Sequence, residues 1–366
     1  MGRGGYRSRS GLLAGASALL LAGAAHAQEE SAAAQLSLGR IVVSAGAEKV
    51  AIDTPQAVTA LDQEDIDNTQ ATTMGDLLEA IPGVSVVGGV SALGQGYNIR
   101  GMGTGLADSD SRILTQIDGV TKFYEQYRMG ALFSEPELYK RVEVLRGPAS
   151  STLYGAGALA GVINFTTKDA SDFLKGDDRF AVRLRGGYES NNDGLFGTAI
   201  AAGKPTEDLD LLAVYTRREA GNYKNGDGEK VVPSNVSSES YLLKGRYYIG
   251  GEKGHNLWAS YENWQSDSTQ LYDQAEAFAS TTVRRKVDDT TAVFGYENDF
   301  GGSKLFDLEG QVSYANSEVQ QRETTFLPGV VYSEFSYKTW QGRLQNTSRF
   351  DWGPDWTGFL FVGAQF

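Results

Sequence analysis

The stretch that decides the fold is residues 139–165, which read YKRVEVLRGPASSTLYGAGALAGVINF. Its first part, Arg141–Arg146, mixes charged and apolar side chains and stops at Gly147. This is the pattern of a short β-strand that ends in a turn. Two more glycines, Gly155 and Gly157, predict a second tight turn. The stretch therefore predicts a domain in which short strands are joined by close turns.

Upstream of this stretch, residues 53–168 read as one compact mixed α/β domain. Thr73 is a helix cap, the next apolar residues share one helical face, and Pro82 ends the helix. Short β-prone runs closed by glycine predict further strands, and these are Val84–Val87, Tyr97–Gly101, Ile113–Val120 and Arg141–Arg146. The glycine-rich loops are no evidence for nucleotide binding, because no dinucleotide-type helix follows them and no P-loop lysine is present.

Downstream of residue 178, apolar and polar residues alternate with a period of two. About nine such segments follow one another, each near the roughly 9–11 residues of a tilted membrane strand, with turn-forming clusters between them. A soluble β-sandwich alternates as well, so the alternation alone leaves both architectures open. Aromatic residues at segment ends fit the girdles of a membrane barrel, and they are Tyr247, Trp258, Tyr261, Trp264, Trp352 and Trp356.

Composition and the first residues narrow the classes of function. The net charge is −13, which repels phosphate backbones and argues against nucleic-acid binding. The chain has no cysteine and two histidines. The sequence therefore contains no thiolate site, metal-ligand cluster or nucleophile–base pair that would indicate an enzyme. Residues 1–27 join a basic start, an apolar core and small residues at Ala25 and Ala27, which predicts a signal peptide.

The motifs of this chain closely resemble those of the TonB-dependent outer-membrane receptors. Residues 139–165 are similar to the end of the family's plug domain, and the earlier pieces follow in the family's order. Those pieces are Asp76–Val84, Ile99–Gly101 and Asp118–Val120. One departure is Ala160, where the family usually has glycine, and a methyl group there should be tolerated.

The resemblance implies a fold class, an α+β plug domain inside an antiparallel transmembrane β-barrel. Residues 28–52 would be a flexible lead with a TonB box, residues 53–168 the plug domain, and residues 178–366 the N-terminal part of the barrel. Plugged transporters have about 22 strands. About nine strands cannot enclose a plug of this size without open edges in lipid, so we expect the barrel to be incomplete in this chain.

The resemblance also assigns roles to individual residues. The TonB box, which would pair with TonB, is Ile41, Val42, Val43, Ser44 and Ala45. Taken alone, this segment reads either as an added strand for a partner's sheet edge or as an ordinary first strand. The charged residues expected to lock the plug to the barrel are Arg100, Arg141, Glu143 and Arg146, with solvated surface charges as the alternative interpretation. The plug apex that would face the substrate is Asp108, Ser109, Asp110, Arg112, Phe123, Tyr124, Tyr127 and Arg128.

The function that the resemblance implies is active import of a scarce nutrient across the outer membrane of a Gram-negative bacterium. The expected partners are TonB with its inner-membrane energising complex, the outer-membrane lipid, the barrel assembly machinery, and a small iron chelate or haem. An iron complex would be transported substrate, so we expect no cofactor, no catalytic residue and no metal ligand. The alternative is a passive porin or an adhesin without energy coupling, which would keep working if residues 41–45 were deleted.

The residues leave the identity of the cargo open. Residues 164–174 are similar to the linker of the haem and haemoglobin receptor branch, which favours haem. Haem iron usually takes an axial histidine, yet His255 is the only histidine after the expected signal peptide. Siderophore binding by aromatic and arginine-rich pockets therefore stays equally open, and so do cobalamin and a sugar.

Overall fold

The part of the chain that the structure, a computed structural model, describes consists of residues 41–42, 49–50, 57–88, 95–103, 112–122, 132–148, 158–250, 254–271, 282–322, 332–351 and 357–366. All of these belong to the compact unit Ile41–Phe366. The expected signal peptide lies outside the described residues. Within the described ranges, no helix combines the length and the apolar character that a membrane crossing requires.

The first half of the unit is built from short strands. They are β1 (Ile41–Val42), β2 (Lys49–Val50), β3 (Ala57–Leu61), β4 (Val84–Gly88), β5 (Gln95–Ile99), β6 (Ile113–Ile117), β7 (Val120–Lys122), β8 (Tyr139–Arg146) and β9 (Gly161–Thr167). A five-stranded sheet has the order β3-β8-β9-β6-β7, and only its β6–β9 pair is parallel. Strand β1 pairs with β2, and β4 pairs with β5, in two separate ladders. We call residues 57–167 the plug.

The prediction of one strand over Ile113–Val120 is wrong, because the chain reverses in the middle of it. Asp118 and Gly119 both have positive φ angles, 47° and 77°, and β6 pairs antiparallel with β7 on either side of them. Asp-Gly is a favoured pair for a two-residue hairpin turn, which needs positive φ at both positions. The turn chemistry therefore overrides the β-prone run.

The plug also contains two short α-helices, α1 (Gln63–Thr69) and α2 (Met74–Glu79), whose buried side chains join the apolar cluster of the sheet. Helix α2 confirms the predicted helix, since the Thr73 side chain accepts a hydrogen bond from the Asp76 backbone N–H. The apolar face predicted for it is buried, with exposures of 0–1% at Leu77, Leu78 and Ile81. Helix α1 was not predicted from the sequence, although the Asp62 side chain caps it by accepting from the Asp65 backbone N–H.

The second half of the unit is a single antiparallel sheet of nine strands in chain order among the described residues. The strands are β10 (Phe180–Glu189), β11 (Gly194–Thr206), β12 (Leu209–Ala220), β13 (Val236–Ile249), β14 (His255–Leu271), β15 (Thr282–Asn298), β16 (Leu308–Arg322), β17 (Ser333–Asp351) and β18 (Thr357–Gln365). The sheet confirms the predicted run of alternating segments. We call it the wall.

The two faces of the wall have different surroundings. The apolar side chains of one face point outward and are exposed, with exposed fractions of 67% for Phe180 and 76% for Leu184. The other set packs against the plug, and Ile200, Leu212 and Leu242 share one buried cluster with the core of the plug. A sheet that is apolar on its outer face and covered on its inner face fits a barrel wall in lipid, not the outside of a soluble sandwich.

The outward face carries a row of aromatic residues, but two of the predicted members are misplaced. Tyr261, Tyr314 and Trp340 lie in one cross-strand row, with Ala292 between the first two. Trp258 and Trp264 instead point inward, at 9% and 1% exposure. They occupy even positions of β14, whereas Tyr261 occupies an odd one, and the two parities face opposite sides. Trp352 and Trp356 lie outside the described residues.

Gly161→Ala is expected to destabilise the plug by about 3 kcal/mol, the upper end for forced overpacking. A methyl group on Gly161 would lie 2.1 Å from the backbone carbonyl oxygen of Leu145, which cannot move aside without breaking the β8–β9 ladder. Thermal unfolding of the purified protein measures this loss. Gly197→Ala is the matched control, because its methyl group would meet nothing within 4 Å. Equal melting temperatures for the two variants would contradict the expectation.

Candidate functional site: the contact between plug and wall

The buried contact between plug and wall begins at β7, where Lys122 reaches into β15. The Nζ of Lys122 donates to Asp289 Oδ1 at 2.5 Å and to Thr291 Oγ1 at 2.8 Å, and both charged side chains are at most 5% exposed. Ser317 donates to the other oxygen of Asp289. Because each charge has lost its water, it depends on the other for stabilisation.

The backbone of the neighbouring residue Thr121 makes strand-like hydrogen bonds with a side chain of the wall. Gln341 on β17 donates to the backbone oxygen of Thr121 and accepts from its backbone N–H, both at 2.9 Å. An amide side chain carries both N–H donors and an acceptor oxygen, so it satisfies both backbone groups of an edge residue. Strand β7 is therefore fastened to the wall at two consecutive residues.

A second contact joins the start of β8 to Glu262 on β14. Ser134 and Tyr139 both donate to Glu262 Oε1, at 2.6 and 2.9 Å. Burial and the nearby Glu262 carboxylate raise the pKa of Tyr139 well above its ordinary value. The phenol therefore stays a neutral donor. An apolar patch adjoins this contact, where Phe133 stacks on Trp264 with 6.1 Å between the ring centroids.

A third contact pairs two wall arginines with acids of the plug. Arg218 on β12 donates to both oxygens of Glu135, at 2.8 and 3.3 Å. Arg185 on β10 donates to Glu137 at 2.6 Å, and it also approaches Asp67 of α1 at 3.4 Å. Glu135 and Glu137 flank Pro136, the first residue of a 3₁₀ turn that spans Pro136–Leu138. A single turn of the plug therefore carries two ion pairs to the wall.

The fourth contact fixes the end of the plug to the centre of the wall. Lys244 on β13 donates to Thr167 at 2.9 Å and forms an ion pair with Asp169 at 3.0 Å. Lys140 pairs with the same aspartate at 2.8 Å. Burial alone would raise the pKa of Asp169, but Lys244 and Lys140 outweigh it and lower the pKa to about 2. Asp169 is therefore ionised throughout the physiological range.

Asp169→Asn is expected to cost about 2 kcal/mol of stability at neutral pH, from the difference between the ordinary pKa of 3.8 and about 2. A carboxylate with a lowered pKa stabilises the fold above its ordinary pKa, and this stabilisation is lost as pH falls towards about 2. The gap in melting temperature between the two proteins should therefore close in strong acid. A gap that stays constant from neutral pH to pH about 2 would contradict this assignment.

The structure describes only part of the predicted TonB-binding segment. Ile41 pairs with Val50 and Val42 with Lys49 in the short β1–β2 ladder. Val43, Ser44 and Ala45 lie outside the described residues. The segment is therefore strand-like where it is described, and its role stays a prediction.

The four residues predicted to lock the plug to the wall lie on the plug, and the structure describes contacts for some of them. Arg141 pairs with Glu143 two positions along β8, at 2.7 Å, and Arg146 donates to the Pro82 backbone oxygen at 2.5 Å. Arg100 is exposed and has a φ of 53°. Their locking role stays a prediction. The ion pairs between wall and plug described above are formed by other residues. Charged residues at inward positions of the alternating segments, such as Arg185 and Lys244, were the available signal for these.

Most of the predicted plug apex cannot be placed. Arg112 is half-buried just before β6, and its backbone oxygen accepts from Ala160 at 2.8 Å. The other apex residues lie outside the described part of the chain, and they are Asp108, Ser109, Asp110, Phe123, Tyr124, Tyr127 and Arg128. Their contact with a substrate therefore stays a prediction.

By sequence, this chain is similar to the plug domain of TonB-dependent receptors and to two haem or hemin receptors. A family model described as "TonB-dependent Receptor Plug Domain" matches residues 50–162. The "TonB-dependent heme receptor A" of Haemophilus influenzae strain 86-028NP is 37% identical over 299 residues, which is 77% of this chain and 39% of that protein. The "Hemin receptor" of Yersinia enterocolitica is 28% identical over 312 residues, 84% of this chain and 43% of that protein.

The solved structures agree at the level of the fold. The Serratia marcescens hemophore receptor HasR, solved in complex with its hemophore HasA and heme, superposes with a TM-score of 0.72 at 23% identity. This similarity covers 86% of this chain and 44% of that one. The FrpB iron transporter of Neisseria meningitidis (F5-1 variant) gives a TM-score of 0.67 at 24% identity, over 80% of this chain and 46% of that one. The chain spans less than half the length of the Haemophilus and Yersinia receptors.

Proposed function

We propose that the protein imports an iron complex, with haem as its cargo, by an energy-coupled movement of the plug. The proposal is supported by sequence similarity to the plug domain of TonB-dependent receptors and to a haem receptor, and by the similar fold of HasR. The protein would lie in the outer membrane of a Gram-negative bacterium. There the barrel assembly machinery would insert it into the lipid. TonB with its inner-membrane complex would supply the energy.

The observation that carries this proposal is the sealed contact between plug and wall. Lys122 and Asp289 form a buried ion pair, and a buried pair that loses one partner typically costs about 3–5 kcal/mol. Thermal motion alone would rarely open several such contacts together. An outer membrane holds no nucleotide supply, so the work must arrive mechanically. A strand-like segment near the start of the plug, β1, offers a place to pull.

Haem as the cargo is supported by the names of the relatives, which are haem and hemin receptors. His255 gives no support as an axial ligand, because it is exposed at the start of β14 and its Nδ1 lies 2.6 Å from the Tyr296 hydroxyl. A ferric siderophore is the second candidate cargo. In either case the iron complex would be substrate and not a resident cofactor.

The rival functions make different demands on the molecule. A passive porin or an adhesin would need neither an energised inner membrane nor residues 41–45. The named relatives are receptors and transporters rather than enzymes. Across the described ranges, no group of three His, Cys, Asp or Glu side chains could hold a metal ion.

Growth of a deletion strain tests the proposed function. Cells that lack the receptor should fail to grow on haem as sole iron source, and the natural full-length protein should restore growth only when TonB is present. Ferric siderophore and cobalamin as alternative sole sources identify the cargo class. Restored growth without TonB would contradict energy coupling, and growth on siderophore but not on haem would contradict haem as the cargo.

A further inference from the structure

A cavity of about 540 Å³ lies between the plug and the wall. Gln70 and Thr73, on either side of the loop that joins α1 to α2, line it from the plug. Arg185, Phe196 and Arg218 line it from β10, β11 and β12. Its volume falls within the roughly 300–1,000 Å³ of small-molecule sites. The cavity is therefore a space that a small organic molecule could occupy between the two parts.

The wall side of this cavity combines one aromatic ring with two cations. The guanidinium carbon of Arg218 lies 4.8 Å from the centre of the Phe196 ring, and that of Arg185 lies 5.7 Å from it. An aromatic face stacks on a planar ligand, and a guanidinium donates two parallel hydrogen bonds to a carboxylate. This trio therefore suits a flat aromatic molecule that carries carboxylates.

In the described state, carboxylates of the plug already occupy both guanidinium groups. Glu135 takes both hydrogen bonds of Arg218, and Glu137 takes one from Arg185. Burial raises the pKa of Glu135 although Arg218 opposes the shift, so its charged form relies on the arginine. Since both glutamates flank Pro136, one displacement of this turn would release Arg218 and leave Arg185 with only its longer contact to Asp67, at 3.4 Å.

The chain that leads into the turn is itself held by the wall. Residues 123–128, which the sequence predicts to face the substrate, precede Glu135 by a few positions in the chain. From Phe133 onward the chain is packed against the wall, with Phe133 on Trp264 and Ser134 on Glu262. Displacement of the turn therefore also requires Phe133 and Ser134 to leave Trp264 and Glu262.

We propose that Arg185, Arg218 and Phe196 form an inner binding site for the carboxylates of a planar aromatic cargo, which Glu135 and Glu137 keep closed until the plug moves. The site rests on the proposed function, since it needs a cargo that passes between plug and wall. The leaving glutamates and the arriving carboxylates have the same chemistry. The arginines therefore exchange one partner for another and are never buried without one, which would be costly.

The test compares haem with its dimethyl ester, in which both carboxylates are blocked. In the natural full-length protein, Arg218→Gln with Glu135→Gln removes both charges of one pair and leaves neither partner buried alone. This double variant should import haem on the order of tenfold more slowly, as expected for the loss of a charge-assisted hydrogen bond. Surface binding of haem and the amount of protein should not change. The wild type should import the ester slowly, and the double variant should not slow it further.

Arg217→Gln with Glu239→Gln is the matched control, because this pair lies one position away on the outward, exposed face of β12 and β13. It should import both compounds like the wild type. The inner site is overturned if the Arg218 double variant imports haem at the wild-type rate. It is also overturned if the Arg218 double variant slows the import of haem and of its ester equally, because the ion pair would then only hold the plug closed. A wild type that imports no haem in a TonB-dependent way would instead overturn the proposed function.

Discussion

Val42→Pro is expected to abolish import of the cargo while cells still bind it at the surface. A segment that pairs with a partner's sheet edge contributes its backbone N–H groups, and proline removes one of them and fixes φ near −65°. Val42 lies in β1, which is strand-like in the structure. The measurement is uptake of labelled haem, compared with its surface binding, in cells that make equal amounts of the two proteins.

Val50→Pro is the matched control for this variant. Val50 lies opposite Ile41 in the β1–β2 ladder, so proline there disturbs the same local ladder but leaves residues 41–45 intact. Import should continue. Equal loss of import in both variants would mean that the ladder itself, and not the predicted TonB box, is what transport requires.

Lys122→Met is expected to loosen the plug and make the outer membrane leaky. It leaves the Asp289 carboxylate, about 5% exposed, without its only ion pair among those described. An uncompensated buried charge typically costs about 3–5 kcal/mol. The plug should unfold at a lower temperature, and cells should become sensitive to large polar antibiotics that the intact outer membrane excludes.

Adding Asp289→Asn to Lys122→Met should restore most of the lost stability. The asparagine still accepts from Ser317, which donates to Asp289 in the wild type, and no charge remains buried alone. Replacing both partners of a buried pair is often close to neutral. If the double variant leaks as much as the single variant, the ion pair is not what seals the contact.

The alternation of apolar and polar residues predicts the strands of the wall but not every position of its aromatic girdle. Period two alone predicts the strands, and the apolar residues of one parity, such as Phe180 and Leu184, are exposed together. The same rule also excludes Trp258 from the girdle, because it shares its parity with buried Glu262 and not with Tyr261. The error lay in using residue type without parity.

The Asp118-Gly119 turn was also available from local chemistry. This pair is a strong hairpin signal, and it splits the predicted strand into β6 and β7. Reading the turn first would have placed Lys122 at the end of a hairpin. It would not have found the partner of Lys122.

The ion pairs between plug and wall could not be predicted from the sequence. Lys122 meets Asp289, which is 167 positions away, and Arg218 meets Glu135 across 83 positions. Such pairs depend on how a plug strand lies against a wall strand, and no local pattern specifies this. The sequence indicates only that charged residues at inward positions of a wall need buried partners.

Entry of haem into the periplasm, measured with and without an energised inner membrane, shows whether the plug must be pulled open. Cells that make the natural full-length protein are given labelled haem, the proton-motive force is collapsed in one half of the culture, and the periplasmic fraction is released and counted. We predict that haem reaches the periplasm only in energised cells and stays at the surface in the others. Equal amounts in both halves would show that the plug opens without being pulled, and would contradict energy-coupled import.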